Sequence, residues 1–155
     1  MRLVCRSIQI GAPPSLVYEL LTDPALFVQW MAESADIDAR PGGRIRWTHP
    51  NGDSCSGHFV ELVAHRRIVF TYGWERPDVE IPPGSTIVEI DLVPHAEGTE
   101  VRLVHRGLSG PMADALGGGW AHYLGRLASR AEGRDPGRDP WADRRVPAAR
   151  ELALP

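Results

Sequence analysis

Hydrophobic and polar residues alternate with a period of two through much of the chain, which is typical of half-buried β-strands. The alternation predicts strands over residues 2–10, 35–39, 44–49, 55–63, 67–74, 85–93 and 99–106. Turns such as Pro41-Gly42-Gly43 and Glu97-Gly98 keep several connections short, whereas residues 76–84 form a longer loop that contains prolines. Short connections between successive strands favour an antiparallel meander.

Helical spacing occurs in three places. Pro13-Pro14 precedes a short helical pattern that ends at Asp23, and a second short pattern starts at Pro24. A long pattern after the last strand places bulky apolar residues three and four positions apart: Leu116, Trp120, Tyr123, Leu124 and Leu127. A single long helix with such an apolar face must bury it on the sheet.

Three consecutive glycines, Gly117 to Gly119, stand immediately before Trp120 in the long helical pattern. Each glycine costs about 1 kcal/mol relative to alanine inside a helix, so something must favour the absence of a side chain. Close contact between the helix and the sheet is one such reason, and room for a ligand is another.

Alternation also predicts which strand residues point inward. One face of the strand over residues 67–74 carries large side chains and forms an aromatic wall: Ile68, Phe70, Tyr72 and Trp74. His105 lies on the inner face of its strand by the same rule. Arg46 faces inward only in an alternative register, where its guanidinium would hold a carboxylate at the mouth of a pocket; otherwise it is solvated.

Charge and composition exclude several classes of function. The formal net charge is −3 and no basic run occurs, which argues against binding to nucleic acid or to an anionic membrane. All 17 basic residues are arginine, so no lysine is available for Schiff-base chemistry. The two cysteines form no CxxC pair and no secretory segment opens the chain, so we expect a cytoplasmic protein.

The chain has the length of one ordinary domain, which we place at residues 1–133. Residues 134–155 form an arginine- and proline-rich tail, and a repeated Gly-Arg-Asp-Pro sequence covers residues 133–140 where the tail begins. Trp141 is a possible anchor for this tail, on its own subunit or on a neighbour.

Several motifs occur in a recognisable order: Ala12-Pro13-Pro14, Leu20-Leu21-Thr22-Asp23-Pro24, Phe27 to Trp30, Pro41-Gly42-Gly43, Arg67 to Trp74 and Gly119-Trp120. In this order they resemble the START-like SRPBCC superfamily, and within it the bacterial homologues of the activator of heat-shock chaperone ATPase, over residues 3–133. The resemblance implies an α+β helix-grip fold. In this fold a curved antiparallel sheet of about six or seven strands wraps around a long C-terminal helix, with two short helices after the first strand. It also implies a deep cavity between sheet and helix.

Aromatic residues are numerous for one small domain, and aromatic side chains line small-molecule pockets as well as cores. We therefore expect a small apolar or aromatic molecule to bind between the sheet and the long helix. The candidate ligand-binding residues are Trp30, Trp47, Phe70, Tyr72, Trp74, His105, Leu116, Trp120 and Tyr123.

The other candidate chemistry is weaker. His105, His122 and Tyr123 have side chains that orient a carbonyl or transfer a proton, although a hydrogen-bonded core histidine explains His105 equally well. A metal site is not expected, because the spacing matches no zinc pattern in the set His49, Cys55, His58 and His65. We expect Cys55 to be a surface or edge thiol, and we expect no cofactor.

Three functions remain open at this stage. The first is non-enzymatic binding of a small molecule, and the second is a polyketide cyclase or aromatase activity that uses His105 or Tyr72. The third is an interaction module similar to the chaperone activators. A homodimer is possible for any of the three, since symmetric dimers are the commonest oligomers.

Overall fold

The computed structural model describes residues 2–142. Within this range, three helices and seven strands occur in the predicted order. The strands are β1 (Arg2–Ile10), β2 (Ser34–Ile37), β3 (Arg44–Thr48), β4 (Ser54–Val63), β5 (Arg67–Tyr72), β6 (Thr86–His95) and β7 (Gly98–Leu108). The helices are α1 (Pro14–Thr22), α2 (Pro24–Phe27) and α3 (Gly110–Ala131).

All seven strands form one antiparallel sheet with the order β1-β7-β6-β5-β4-β3-β2. The chain therefore runs as a meander from β2 to β7, and β1 closes the far edge by pairing with β7. Helix α3 packs across the sheet and against β1. This arrangement confirms the predicted α+β helix-grip fold.

Local sequence signals explain where the helices begin. The Ser109 side chain accepts a hydrogen bond from the Met112 N–H at the start of α3, and Pro111 occupies the first turn, where its missing N–H costs nothing. Asp23 caps α2 in the same way through the Ala25 N–H. The first turns of α2 and α3 thus satisfy donors that have no partner inside the helix.

The hydrophobic core fills the space between the inner face of the sheet and the helices. The inward residues of β6 and β7 are completely or almost completely buried: Val88, Ile90, Leu92, Val101, Leu103 and His105. The apolar face of α3 covers them, with Leu116, Trp120, Leu124 and Leu127 all buried. The predicted inward alternation of these strands is therefore correct.

The fifth strand is shorter than predicted, because β5 ends at Tyr72 rather than at Trp74. At Gly73 the proline-containing loop packs directly on the backbone, and an added Cβ atom there would lie 1.9 Å from the Pro82 carbonyl oxygen. Trp74 then donates its backbone N–H to the Ile81 carbonyl and pairs with Cys55 through an isolated bridge.

Cys55 was expected at the surface or at a sheet edge, and this prediction is wrong. The residue lies on β4, between β3 and β5 in the interior of the sheet, and is 0% exposed. Its thiol contacts the Tyr72 hydroxyl at 3.6 Å. Burial raises the pKa of the Cys55 thiol, so this cysteine is an inert core residue rather than a nucleophile.

Residues 134–142, which we call the C-terminal strap, fold back along α3. Arg126 donates hydrogen bonds from its guanidinium to the backbone carbonyls of Pro136 (3.3 Å) and Gly137 (2.9 Å). The same side chain donates to the Trp30 carbonyl at 2.9 Å. Arg126 therefore ties the strap, α3 and the segment after α2 together. The rest of the predicted tail, residues 143–155, lies outside the described residues.

Candidate functional site

A cavity of about 400 Å³ lies between the inner face of the sheet and the first half of α3. Its volume is in the range of small-molecule sites. The cavity is lined mainly by aromatic rings, with a few polar side chains: Met31, Trp47, His49, Asn51, Tyr72, Trp74, Asp114, Ala115, Leu116, Gly118, Gly119, Trp120, Tyr123 and Trp141.

Strand alternation brings the sheet side of the cavity together. Trp47 points inward from β3, and His49, two residues later, points the same way just after the strand ends. Tyr72 and Trp74 do the same at the end of β5. The wall therefore consists of the last inward residue of β3 and of β5, together with the inward residue just after each strand, and both strands border β4.

Helix α3 supplies the opposite wall through residues spaced by four. Ala115, Gly119 and Tyr123 follow one another along the same stripe of the helix, and all three line the cavity. Gly119 thus stands in the middle of the stripe, where any side chain would project toward the cavity.

The three glycines of α3 serve two different purposes. An added Cβ atom on Gly117 would lie 2.7 Å from an Arg6 guanidinium nitrogen, so this glycine permits close contact with β1. Added Cβ atoms on Gly118 and Gly119 would meet no atom within 4 Å, and both residues line the cavity. Close contact with the sheet therefore explains Gly117, whereas room for a ligand at Gly118 and Gly119 stays a prediction.

Neighbouring rings contact one another around the cavity in two groups. Trp120 contacts Tyr72 at a centroid distance of 6.0 Å, and Tyr72 contacts Trp47 at 5.7 Å. In the second group His49 contacts both Trp74 (5.8 Å) and Tyr123 (5.5 Å). Tyr123 in turn contacts Trp141 of the strap at 6.4 Å. The cavity is thus bordered by packed aromatic surface.

His49 is held in one tautomer by its neighbours. The Trp47 indole N–H, which can only donate, lies 3.2 Å from His49 Nε2. A neutral His49 therefore carries its proton on Nδ1, which faces the Tyr123 hydroxyl oxygen at 3.5 Å. Burial lowers the pKa of His49, and the carboxylates of Asp139 and Asp53 only partly oppose that effect, so the ring is neutral at pH 7.

Asp139 of the strap is the acceptor at the end of this chain of hydrogen bonds. It accepts from the Tyr123 hydroxyl at 2.6 Å, from the Trp141 backbone N–H at 2.9 Å and contacts His122 Nε2 at 2.8 Å. Burial alone raises the pKa of Asp139, but these hydrogen bonds outweigh it and lower the pKa, so the carboxylate is ionised. The Trp141 ring stacks on His122 with a centroid distance of 4.0 Å.

His105 lies outside the cavity lining and is sealed in the core. It is 0% exposed, and both of its ring nitrogens have a partner. The Trp120 N–H donates to Nδ1 at 3.0 Å, so Nε2 carries the proton and donates to Thr86 Oγ1 at 2.8 Å. The Thr86 hydroxyl donates in turn to the Tyr72 carbonyl. Burial lowers the pKa of His105 to about 3.

Six of the nine candidate ligand-binding residues line the cavity: Trp47, Tyr72, Trp74, Leu116, Trp120 and Tyr123. The other three, Trp30, Phe70 and His105, are buried in the core. Trp30 donates its indole N–H to the Leu20 carbonyl at 2.8 Å and so fixes α1, while Phe70 packs between Trp47 and Phe59. A role in binding a ligand remains a prediction for all of them.

The remaining candidate residues lie apart from the cavity or at its outer side. Arg46 is partly exposed and pairs with Glu75, with nitrogen–oxygen distances of 2.9–3.2 Å, so it does not face the cavity. His122 bonds to Asp139. His58 contacts Thr71 and His65 contacts Tyr18, at two separate places. Within residues 2–142 no cluster of His, Cys, Asp or Glu has the arrangement needed for a metal ion.

Sequence reasoning did not identify several cavity residues: His49 as a pocket residue, Asn51, Asp114, the strap residue Trp141 and the supporting Asp139. The alternation Ile45, Trp47, His49 was a usable signal for His49, because it continues the inward face of β3 by one step. Asp139 carries no such signal, because its position depends on how the strap folds back.

Comparison with known proteins identifies the family. The family model for Activator of Hsp90 ATPase homolog 1-like protein matches residues 11–132. The solution structure of the AHSA1-like protein RHE_CH02687 from Rhizobium etli shares 39% identity and a TM-score of 0.69, over 94% of this chain and 91% of that one. No curated protein matches the chain.

Two further structures share the fold. DynU16, a protein of the dynemicin biosynthetic locus, has a TM-score of 0.76 and 24% identity over 88% of this chain and 49% of that one, so the present chain spans about half its length. The Aha1 dimer from Colwellia psychrerythraea has a TM-score of 0.72 and 20% identity over 86% of this chain and 98% of that one. Among the described residues, no helix is both long and apolar enough to span a bilayer.

Proposed function

The chain belongs to the Activator of Hsp90 ATPase homolog 1-like family, and we propose that it binds a small apolar or aromatic molecule between the sheet and α3 without transforming it. The observation that carries this proposal is the cavity of about 400 Å³ whose walls are tryptophan and tyrosine rings. Burial of apolar ligand surface against such rings is the main source of affinity in sites of this kind.

The arrangement of the polar groups supports binding rather than catalysis. His105, one of the two candidate proton-transfer groups for a cyclase activity, has both nitrogens occupied and lies outside the cavity lining. Burial raises the pKa of Tyr72 well above its ordinary value, so its hydroxyl is a poor acid and does not supply a base at pH 7.

Gly119 gives a direct test of the site. Replacement by leucine places a side chain in the cavity, where an added Cβ atom meets no other atom within 4 Å, so the helix is not strained. Gly125→Leu is the matched control, because Gly125 lies on the same helix, has equally open surroundings and does not line the cavity. Both substitutions favour the helix, since leucine has the higher helix propensity.

The experiment begins with native mass spectrometry of the purified protein and a thermal-shift screen with aromatic, polyketide and fatty-acid ligands. A ligand at one hundred times its dissociation constant adds about 2.7 kcal/mol to the free energy of unfolding. We expect Gly119→Leu to lower the affinity of a ligand so found by more than tenfold and Gly125→Leu to leave it unchanged. Equal affinity in both variants, or no ligand at all, would contradict the proposal.

A homodimer is a separate proposal. The similar Aha1 from Colwellia psychrerythraea is described as a dimer, which supports but does not locate an interface in this chain. Light scattering after size-exclusion chromatography tests it: a mass near twice 17.1 kDa is expected, and a mass near 17.1 kDa over a wide concentration range would reject it.

A further inference from the structure

The tryptophan N–H groups and the Tyr123 hydroxyl that border the cavity are directed at the protein rather than at a ligand. The indole N–H groups of Trp47 and Trp120 donate to His49 and His105, and the Tyr123 hydroxyl donates to Asp139. Trp74 Nε1 is buried away from solvent, on the side of the Tyr72 hydroxyl, with which it interacts. Because the cavity is open to solvent, a nitrogen that faced it would be accessible. A ligand that needs donors, such as a carboxylate or a phosphate, therefore finds few here.

Positive charge is also missing from the cavity surface. No arginine in the described part of the chain belongs to the lining residues, and burial keeps His49 neutral. Arg126, which lies on α3 behind the cavity, turns its guanidinium toward backbone carbonyls of the strap and of Trp30. An anionic ligand would thus lose its hydration without gaining a cationic partner.

Negative charge, in contrast, is present on two sides. Asp114 lines the cavity at its mouth, where its side chain is 74% exposed and lies 3.7 Å from Arg2, a long and solvated contact. Asp139 lies behind Tyr123 as an ionised carboxylate and accepts the Tyr123 hydroxyl proton in a 2.6 Å hydrogen bond. Both carboxylates favour a positive charge inside the cavity.

The walls themselves favour a cation in the same way. Tryptophan and tyrosine faces attract cations through the negative potential above the ring, most strongly when water is excluded. Neighbouring rings of the sheet, the helix and the strap pack at centroid distances of 5.5–6.4 Å, so a group within the cavity lies beside several of them at once. The indole N–H edges of Trp47 and Trp120, which carry the positive end of each ring, are occupied by histidines.

From this arrangement we propose that the natural ligand of the cavity is an organic cation, an aromatic or branched alkyl ammonium, held among the tryptophan rings with Asp114 at the mouth. The inference rests on the proposed function and narrows it from apolar molecules in general to those that carry a positive charge.

Three probes of nearly equal shape and different charge provide the test: phenyltrimethylammonium, its neutral isostere tert-butylbenzene, and the anion 2-methyl-2-phenylpropanoate. Binding to the full chain is measured by titration of the tryptophan indole N–H signals in NMR spectra. We expect the cation to bind about tenfold more tightly than the neutral isostere, and the anion to bind most weakly. Raising the salt concentration should weaken the binding of the cation but not the binding of the other two probes.

Asp114→Asn separates the charge from the shape of the site. Because Asp114 is exposed, loss of its charge should not affect folding. We expect the substitution to lower the affinity for the cation about threefold and to leave the affinity for the neutral probe unchanged. Asp38→Asn is the matched control, since Asp38 is also an exposed carboxylate with one arginine partner, Arg40, and lies outside the cavity.

The outcomes distinguish this inference from the proposed function. If tert-butylbenzene or the anion binds as tightly as the cation, the cationic ligand is rejected while the pocket proposal stands. If none of the three probes binds, the cationic ligand is rejected as well. The proposed function is abandoned only if the ligand screen with Gly119→Leu and Gly125→Leu also fails.

Discussion

His105 and His49 each accept a hydrogen bond from a tryptophan N–H, yet they lie in different surroundings. His105 is sealed between β7 and α3, is 0% exposed and has a short hydrogen bond at each ring nitrogen, 2.8 Å and 3.0 Å. His49 lines the cavity, is 8% exposed and has a 3.2 Å bond on one nitrogen and a 3.5 Å contact on the other.

A tryptophan–histidine pair thus belongs to the packed core at His105, and a second such pair forms part of the cavity wall at His49. A buried polar group stabilises a core only when all of its donors and acceptors are hydrogen-bonded. A buried donor or acceptor without a partner costs the full free energy of removing it from water. His105 meets this condition. His49 meets it more loosely, and its ring borders open space that a ligand can occupy. We therefore expect His105 to contribute mainly to stability, and we expect His49 to contribute mainly to the proposed site.

Replacing each histidine by alanine should separate the two roles. We expect His105→Ala to lower the free energy of unfolding by about 4 kcal/mol, since it leaves a core cavity and an unpaired Trp120 N–H. His49→Ala should cost only about 1 to 2 kcal/mol, because solvent in the cavity can replace its contacts. Urea denaturation measures both values. Equal costs would show that the two environments do not differ energetically.

Substitutions that remove only a hydroxyl next to each histidine compare the two environments with a smaller change in structure. Thr86→Val removes the hydroxyl that accepts from the His105 Nε2–H and donates to the Tyr72 carbonyl, and we expect a loss of about 2 kcal/mol. Tyr123→Phe removes one of the hydrogen bonds to Asp139, which keeps the Trp141 N–H and His122, so about 1 kcal/mol is expected. Both changes nearly preserve side-chain volume. A larger loss for Tyr123→Phe would reverse our assignment of roles.

The pH dependence of stability should reveal the sealed histidine. Burial lowers the pKa of His105 to about 3, whereas an unfolded histidine titrates near 6.5. Below pH 6.5 the unfolded chain therefore binds a proton that the folded chain does not, so stability is complete above pH 6.5 and falls as the pH is lowered toward 3. We expect a loss of about 1.5 kcal/mol between pH 6.5 and 5 from this residue.

His49 contributes in the same direction, because its pKa is also lowered, so the measurement is repeated with His49→Gln. A slope between pH 6.5 and 5 that persists in this variant is assigned to His105, because unfolded carboxyl groups take up protons mainly below pH 5. NMR of the histidine ring nitrogens provides an independent check, with His105 remaining in the neutral Nε2–H form at pH 5. A His105 ring that titrates near pH 6.5 would contradict the sealed environment.

The order of elements and the aromatic wall were predictable from local periodicity. Strand alternation correctly placed Tyr72, Trp74 and His105 on inner faces, and the helical spacing correctly predicted the buried face of α3. These features depend on which side of an element a residue occupies, and that side follows from spacings of two or of three and four. The matching family motifs then specified how the elements assemble.

Periodicity could not distinguish residues that share an inner face but lie either in the packed core or at the cavity. Phe70 and Tyr72 share a face of β5, but Phe70 lies in the core and Tyr72 reaches the cavity. Gly117 and Gly119 are two positions apart on α3, but one contacts Arg6 and the other borders open space. The strap was less predictable still, because Asp139 reaches Tyr123 only after the chain reverses direction.

The sequence by itself therefore determined the fold class, the inner faces of the strands and the presence of an aromatic surface between sheet and helix. Only the tertiary structure decided that His105 is sealed, that His49 borders the cavity and that Asp139 supports Tyr123. The physical reason is that alternation is a local property of backbone geometry. Whether an inward side chain meets packed atoms or open space depends on the distance between elements far apart in the chain.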